Sequence, residues 1–185
     1  MNYSEEAIGE AFLELLDEKP FNKITVKDIV ERCGVNRNTF YYHFQDIPSL
    51  LEEILRSRID LLIEKHCEIG SLKECITIIV TYFLENKKAV MHVYRSLSRE
   101  VFISHLDRML LYLVQEYIDN ISATMKIREK DRMIIVRFFK CMLMGIFLDW
   151  LDADMGYDLL KDSIRICELQ ENAGLQFLQN AGETE

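Results

Sequence analysis

The chain has 185 residues, of which 49% are hydrophobic and 29% charged, and this composition excludes a disordered or fibrous protein. It contains only 2 prolines and 7 glycines, so few turns are available and helices must dominate. The formal net charge of -9 disfavours a uniformly basic surface that binds nucleic acid along its whole length, but it does not exclude a local basic segment.

The N-terminus and the cysteines indicate a cytoplasmic protein. The first residues lack the basic and apolar regions of a signal peptide. The most apolar run, Cys141 to Leu151, is shorter than the ~20 residues that span a bilayer, and Asp149 interrupts it. The 5 cysteines include no C-x-x-C pair, which argues against a zinc site and a disulfide framework. We therefore expect no membrane partner, no cofactor and no metal.

Three short helices are predicted in the N-terminal part of the chain. The first starts near Ser4 and ends at Pro20 and Phe21, and its apolar residues recur at helical spacing. Thr25 is the expected cap of the second helix, Val26 to Cys33, and Gly34 is suited to end it in the left-handed conformation. The expected cap of the third, roughly Arg37 to His43, is Asn36. Inward-facing apolar residues of these helices are Ile8, Phe12, Leu16, Ile29, Val30, Phe40 and Phe44.

A long fourth helix follows, with Asp46 as its cap and Pro48 in its first turn. Its apolar stripe continues to about Glu68, so we expect it to join the N-terminal unit to the rest without a flexible linker. Beyond it, helices are predicted near 71–86, 87–96, 98–121, 129–154 and 157–180. Their expected starts lie near Ser71, Asn86, Ser98 and Lys130 or Asp131. The chain is therefore predicted to be all-α, with about nine helices.

The segment from Ile24 to Phe44 has the sequence pattern of a helix-turn-helix, since two short predicted helices flank a tight turn at Gly34 and Val35. In such a motif the second helix lies in the major groove while the first crosses the DNA backbone. Residues 19–44 contain five bases and two acids, a local charge of +3. The segment therefore favours a DNA partner in spite of the acidic total.

The pattern T-V-x-D-I-x-x-x-x-G-V-x-x-x-T-F-Y-Y-H-F at residues 25–44 resembles the DNA-binding region of the TetR/AcrR family of transcriptional regulators. The aromatic cluster at this distance after Gly34 and Val35 is its most specific part. The resemblance implies a helix-turn-helix domain at 1–47 and a helical regulatory and dimerisation domain at 48–185. It also implies a homodimer on a palindromic operator, most simply a repressor released by a small-molecule ligand.

The resemblance also implies which side chains meet DNA: those at the start of the third helix approach base edges or nearby phosphates, and the aromatic cluster binds the backbone. The chemistry agrees, because Arg can read guanine bidentately, Asn can read adenine and Tyr hydroxyls can bind phosphates. The candidate DNA-binding residues are Thr25, Lys27, Asn36, Arg37, Asn38, Thr39, Tyr41, Tyr42 and His43.

Two of these assignments have structural alternatives. Tyr41 or Tyr42 can belong to the core, but adjacent residues on a helix cannot both face inward beside Phe40, so at least one must be exposed. His43 can simply cap the end of its helix.

Ile47 departs from the family pattern, which usually has Lys at this position. One phosphate contact is therefore missing, and we expect weaker or less salt-dependent DNA binding, for which Lys19 and Lys23 can compensate.

The C-terminal part contains many methionines and aromatic residues, which are more often core than pocket. The resemblance makes a pocket for a small apolar or aromatic ligand a hypothesis here, since flexible methionines adapt to varied ligands. The residues concerned are Met91, Met109, Met133, Met142, Met144, Tyr82, Tyr94, Tyr112, Phe83, Phe102 and Trp150.

The predicted helix 129–154 is apolar around nearly its whole circumference, so it needs partners on every side. With the last helix it forms the expected dimer surface, which in the family is a bundle of helices from both subunits. The candidate interface residues are Phe138, Met142, Gly145 and Ile164.

No catalytic motif is present, neither a nucleophile elbow nor H-E-x-x-H nor a Gly-rich phosphate loop, and we predict that the protein is not an enzyme. An alternative is a helical adaptor or ligand-binding protein of the same fold with weak or lost DNA binding. An activator, or a regulator without a ligand, is a further alternative that the sequence does not separate from a repressor.

Overall fold

The computed structural model describes residues 3–66, 72–125 and 127–170. Within these ranges the chain is all-α, which confirms the predicted fold class. A 3-10 turn, Phe21–Lys23, lies between the first two helices. The helices in the described ranges are α1 (Tyr3–Glu18), α2 (Val26–Cys33), α3 (Arg37–His43), α4 (Ile47–His66), α5 (Leu72–Glu85), α6 (Lys87–Ser96), α7 (Arg99–Met125), α8 (Glu129–Asp152) and α9 (Leu159–Gln170).

The predicted start of the first helix needs correction. Helix α1 begins at Tyr3, so Ser4 lies inside the first turn and is not the cap. Helix α8 begins at Glu129, the predicted first residue, and Lys130 and Asp131 lie near its start, as expected. The predicted start at Ser71, the end of the fourth helix near Glu68 and the part of the last helix beyond residue 170 lie outside the described residues.

The first compact unit contains the residues up to Arg58 together with Asn86–His105. Its buried core is formed by apolar side chains of α1 to α4, joined by Ala89 of α6. Phe12, Ile29 and Phe40 are each 0% exposed. Helix α6 is also tied to α1 by a hydrogen bond, since His92 Nδ1 lies 2.6 Å from the carbonyl oxygen of Leu16. The helix-turn-helix is therefore anchored in a core larger than its own helices.

The second compact unit contains Ile59–Glu85 and the residues from Leu106 onward. In it α5 packs against α9, and a cluster of buried aliphatic side chains joins α7 to α8. Trp150 of α8 is 0% exposed, and its Nε1 donates to the carbonyl oxygen of Tyr157 at 3.1 Å. The unit thus has its own core, with the tryptophan nitrogen satisfied inside it.

The predicted division lies at residue 47, whereas the compact units are defined by packing and have other bounds. The first unit is larger than residues 1–47, because it also includes the start of α4 and all of α6. Helices α4 and α7 contribute residues to both units. A functional boundary at residue 47 therefore stays a prediction.

None of the helices in the described ranges is both long enough and apolar enough to cross a membrane. In the same ranges, no three His, Cys, Asp or Glu side chains come together in positions that could hold a metal ion. Cys33, Cys75, Cys141 and Cys167 are free thiols.

Replacing Phe40 with Ala should lower the free energy of unfolding of the first unit by about 3 to 5 kcal/mol, because it leaves a cavity in a packed core. The matched control is Tyr42→Ala on the same helix, whose side chain is 83% exposed. That change should cost less than about 0.5 kcal/mol. Urea denaturation followed by circular dichroism measures both, and equal losses would contradict the core position of Phe40.

Candidate nucleic-acid interface

Helix α2 begins with a capping box between Thr25 and Asp28. The Thr25 hydroxyl accepts a hydrogen bond from the Asp28 backbone N at 3.2 Å, and the Thr25 backbone N donates to Asp28 Oδ2 at 2.8 Å. The same hydroxyl donates to Asp28 Oδ2 at 2.7 Å. A DNA contact by Thr25 would have to share the hydroxyl that caps the helix, so its clearest role is to fix the start of α2.

The Asp28 carboxylate also binds Lys19, whose Nζ lies 2.9 Å from Asp28 Oδ2. Hydrogen bonds from Thr25 and then from Lys19 hold the pKa of Asp28 well below its ordinary value of 3.8. The carboxylate therefore stays ionised far into the acid range. Lys19, one of the two lysines that can compensate for the missing phosphate contact, is thus paired with an acid of the same unit.

The turn between α2 and α3 follows the prediction closely. Gly34 has φ 73° and ψ 17°, the left-handed conformation that ends α2. Asn36 caps α3, since its Oδ1 accepts from the Thr39 backbone N at 2.9 Å and from Thr39 Oγ1 at 3.2 Å. Two predicted DNA-binding residues, Asn36 and Thr39, therefore bind each other and define the start of α3.

Helix α3 separates a buried face from an exposed one. Phe40 is 0% exposed and packs edge-on against Tyr41, with ring centroids 5.4 Å apart. Tyr41 and Tyr42 are 57% and 83% exposed, which excludes a core position for either. Arg37 and Asn38 are also exposed. A continuous polar and aromatic surface is therefore available along this helix.

His43 closes α3 through a contact that the sequence did not indicate. The side chain is half-buried, and its Nε2 lies 2.8 Å from the Ser4 hydroxyl. Its ring also packs edge-on against Tyr42, at a centroid distance of 5.0 Å. The first turn of α1 is thus joined to the last turn of α3. Ser4 belongs to the candidate interface as a positioning residue, and its separation of 39 positions from His43 left no local signal for it.

Ion pairs offset most of the local basic charge. Arg32 donates to both carboxylate oxygens of Glu18, at 2.6 and 2.8 Å, and lies 3.6 Å from Glu14. The hydrogen bond from Arg32 lowers the pKa of Glu18. Lys27 Nζ is 3.7 Å from Glu31 Oε1 in an exposed pair. Glu14 and Glu18 lie on α1, outside residues 19–44, for which the local charge of +3 was counted. When the count begins at residue 14, the segment contains five bases and five acids.

Ile47, at the usual Lys position of the family, is half-buried and packs against the apolar core of the first unit. Its side chain extends this core at the first residue of α4. Its position thus gives a packing reason for an apolar residue where the family usually has a cation.

The candidate dimer residues differ in exposure. Phe138 is 54% exposed and Gly145 is exposed, whereas Met142 and Ile164 are half-buried. Phe138 lies in an exposed stripe of α8 with helical spacing, which we call the α8 stripe and which consists of Ile134, Phe138, Cys141 and Gly145.

An open groove of about 190 Å³ lies between α7 and α8 in the second unit. Of the methionines and aromatic residues expected around a ligand, only Met133 lines it. Trp150, Phe102 and Met91 are 0%, 8% and 6% exposed and belong to the core. The groove lining is Leu111, Gln115, Arg132, Met133, Val136, Arg137 and Lys140.

Two family profiles match the sequence. The family described as "Bacterial regulatory proteins, tetR family" matches residues 8–54, and the one described as "Transcriptional regulator C-terminal region" matches residues 70–169. The first match covers α2 and α3, and the second covers more than half of the chain.

Curated relatives match part of the chain. It is 26% identical over 84 residues to the "HTH-type dhaKLM operon transcriptional activator DhaS" of Lactococcus lactis subsp. lactis (strain IL1403), covering 45% of each protein. It is 34% identical over 59 residues to the "Uncharacterized HTH-type transcriptional regulator YvdT" of Bacillus subtilis (strain 168), covering 30% of each. The chain therefore spans less than half the length of the curated relatives it matches.

Solved structures share the fold over almost the whole chain. The "Dihydroxyacetone kinase operon activator DhaS" superposes with a TM-score of 0.68 at 18% identity, covering 98% of this chain and 99% of that one. A TetR transcriptional regulator from Streptococcus agalactiae 2603V superposes with a TM-score of 0.56 at 21% identity, covering 97% and 94%. These likenesses establish the fold.

The hydrogen bonds to Asp28 predict a dependence of stability on pH. Because the pKa of this carboxyl is lowered in the folded state, its contribution is fully present above its ordinary value of 3.8 and is lost as the pH falls below it. Asp28→Asn should therefore flatten the decline of the urea midpoint between about pH 5 and pH 2. The control is Asp17→Asn on the exposed side of α1, which should keep the wild-type decline, and an unchanged decline in Asp28→Asn would contradict the assignment.

Proposed function

Because the chain belongs to the TetR family of bacterial transcriptional regulators, it is a DNA-binding transcriptional regulator, and we propose that it binds a palindromic operator as a homodimer. The observation that carries the proposal is the face of α3, where exposed polar and aromatic side chains stand on the buried ring of Phe40. A rigid second helix with such a face is what a major groove requires.

In this proposal α3 enters the major groove and α2 crosses the DNA backbone. The hydroxyls of Tyr41 and Tyr42 bind phosphates, and the exposed Lys27 follows the same backbone from α2. Asn36, Thr39 and Thr25 act mainly by fixing the ends of the two helices, because their side chains form the caps. His43 holds the end of α3 against Ser4. Phosphate contacts position the protein, and contacts to base edges select the sequence.

The proposed dimer forms through the α8 stripe and α9. Met133, Ile134 and Phe138 of α8 are 58%, 63% and 54% exposed, and Ile166 and Leu169 of α9 are 44% and 68% exposed. Large apolar side chains at such exposure favour contact with another surface. A two-fold dimer would then place its recognition helices about 34 to 36 Å apart, one turn of DNA.

For the second unit we propose a small apolar or aromatic ligand as effector. The groove of α7 and α8 combines apolar side chains with the guanidinium of Arg137, whereas Arg132 and Lys140 are paired with Asp119 and Asp107. Binding would act on DNA affinity through α4, which contributes residues to both units, with a coupling of ~1 to 3 kcal/mol. A compound screen in which no ligand raised the melting temperature would argue against an effector.

We propose repression relieved by the effector, since a dimer bound at a promoter excludes polymerase. Activation is the second candidate, because the Lactococcus relative is named an operon activator. A reporter gene behind the operator separates the two, since deletion of a repressor raises expression and deletion of an activator lowers it. The proposed location is the cytoplasm, where bacterial DNA is accessible, with residues 1–47 as the DNA-binding domain and 48–185 as the regulatory one.

Tyr42→Ala should weaken operator binding at least tenfold without lowering stability, because the ring is 83% exposed and supplies a backbone contact. Fluorescence polarisation on DNA flanking the gene, at two salt concentrations, measures the affinity. The control is Tyr3→Ala, which removes a tyrosine that is 86% exposed on α1. It should bind like wild type.

The salt dependence tests the same interface. Because most local bases are paired with acids, log K should fall with log salt less steeply than for a site with 6 to 10 phosphate contacts. Equal affinity of Tyr42→Ala and wild type would contradict the proposed role of this tyrosine. No specific binding by wild type, there or to any sequence of a random pool, would favour the adaptor alternative.

Phe138→Asp should convert the dimer to a monomer at micromolar concentration, because it places a charge within the apolar surface that two subunits would share. Light scattering coupled to size exclusion measures the mass. Val101→Asp is the matched control, since Val101 is an apolar residue of α7 that is 43% exposed outside this surface. A Phe138→Asp protein that remains dimeric would contradict the proposed interface.

A further inference from the structure

The exposed side chains of α3 occupy one sector of the helix. At about 100° per residue, Arg37 and Tyr41 stand one above the other, and Asn38 and Tyr42 form the adjacent row. Phe40 and Phe44 are 0% and 4% exposed on the other side. Only the side chains of this outer sector can reach base edges while the helix stays anchored.

Hydrogen bonds in the cap of α3 further reduce the number of side chains that are available to contact bases. Asn36 Oδ1 accepts two hydrogen bonds from Thr39, so both residues are engaged in the cap of α3. At the N-terminal end of the helix, which approaches bases most closely in a helix-turn-helix, this leaves Arg37 and Asn38. The two tyrosines follow one turn later.

The ion pairs distinguish Arg37 from the other bases of the segment. Lys19, Lys27 and Arg32 each have a carboxylate partner within 4.0 Å. In the part of the chain that the structure describes, no ion pair is found for Arg37 or Lys23. Lys23 lies in the 3-10 turn before α2 and is not a residue of α3. Arg37 is therefore the guanidinium on α3 that remains available to a partner.

Helix stability does not explain an arginine at this position. Arg37 is the first residue of α3, and the first turn contains no acid. A cation there opposes the positive end of the helix dipole, where Asp or Glu is favoured. The residue is thus placed against the local electrostatic preference, facing outward at the end of α3 that reads DNA.

We propose that Arg37 reads one guanine in each half-site of the operator, through paired hydrogen bonds from its guanidinium to guanine O6 and N7. This inference rests on the proposed DNA-binding function. It identifies Arg37 as the residue that contributes most to the sequence specificity of the protein, and guanine as the base that Arg37 recognises. Arginine on guanine is the commonest specific contact in the major groove, because the planar fork matches the two acceptors. Lysine keeps the charge but loses that fork.

The test begins with selection of DNA from a random-sequence pool by the full-length protein. Wild type and Arg37→Lys are compared, with Lys23→Gln as a control for simple loss of a phosphate contact. Wild type should enrich a palindrome with a guanine in each half-site. Changing that guanine to adenine should weaken wild-type binding roughly 5- to 150-fold, the discrimination of one bidentate contact.

The Arg37→Lys protein should bind the guanine and adenine sites within about threefold of each other while its melting temperature stays within about 2 °C of wild type. Lys23→Gln should weaken both sites equally and keep the guanine preference. Full guanine preference in Arg37→Lys, or an enriched site without guanine, would overturn the inference while leaving the DNA-binding function intact. Enrichment of no sequence by wild type would overturn both.

Discussion

The burial of Phe40 is the constraint on which the interface depends. Its ring is 0% exposed and is shared by a core that includes Phe12 of α1, Ile29 of α2 and Leu50 of α4. On a helix of only seven residues, one anchored side chain fixes the rotation of all the others. With Phe40 inside, Arg37, Asn38 and the two tyrosines must point outward. The packing of one apolar ring thus decides which polar groups can meet DNA.

Most polar side chains near Phe40 form helix caps or ion pairs within the first unit, and these contacts limit what they can offer to DNA. The caps of α2 and α3 use Thr25 and Asn36, and the carboxylates of Asp28 and Glu18 hold Lys19 and Arg32. Exposed ion pairs add little stability by themselves, but they remove cations from the surface available to phosphates. With a net charge of -9 and these cations paired, shape and specific hydrogen bonds have a larger share in DNA binding than general attraction to phosphates.

What the sequence predicted depends on how far the partners are separated along the chain. The caps at Thr25, Asn36 and Asp46, and the left-handed Gly34, involve residues within about four positions, so local chemistry determines them. The bond between Ser4 and His43 and the pair of Arg32 with Glu18 need the folded arrangement of α1 against α2 and α3. The burial pattern of α8 also depends on the folded arrangement. Periodicity alone could not show that Trp150 is buried while Phe138 is exposed.

At Ile47, packing of the core and attraction to DNA phosphates compete for the same position. The first residue of α4 lies at the edge of the core, close in sequence to the end of α3, so one side chain can either extend the core or offer a cation to a phosphate. An isoleucine that packs against the core strengthens the platform that holds α3. The same choice removes a sequence-independent attraction and leaves a larger share of the binding free energy to base contacts. We expect a regulator with isoleucine here to lose more affinity for non-specific DNA than for its operator, which raises the ratio of specific to non-specific affinity.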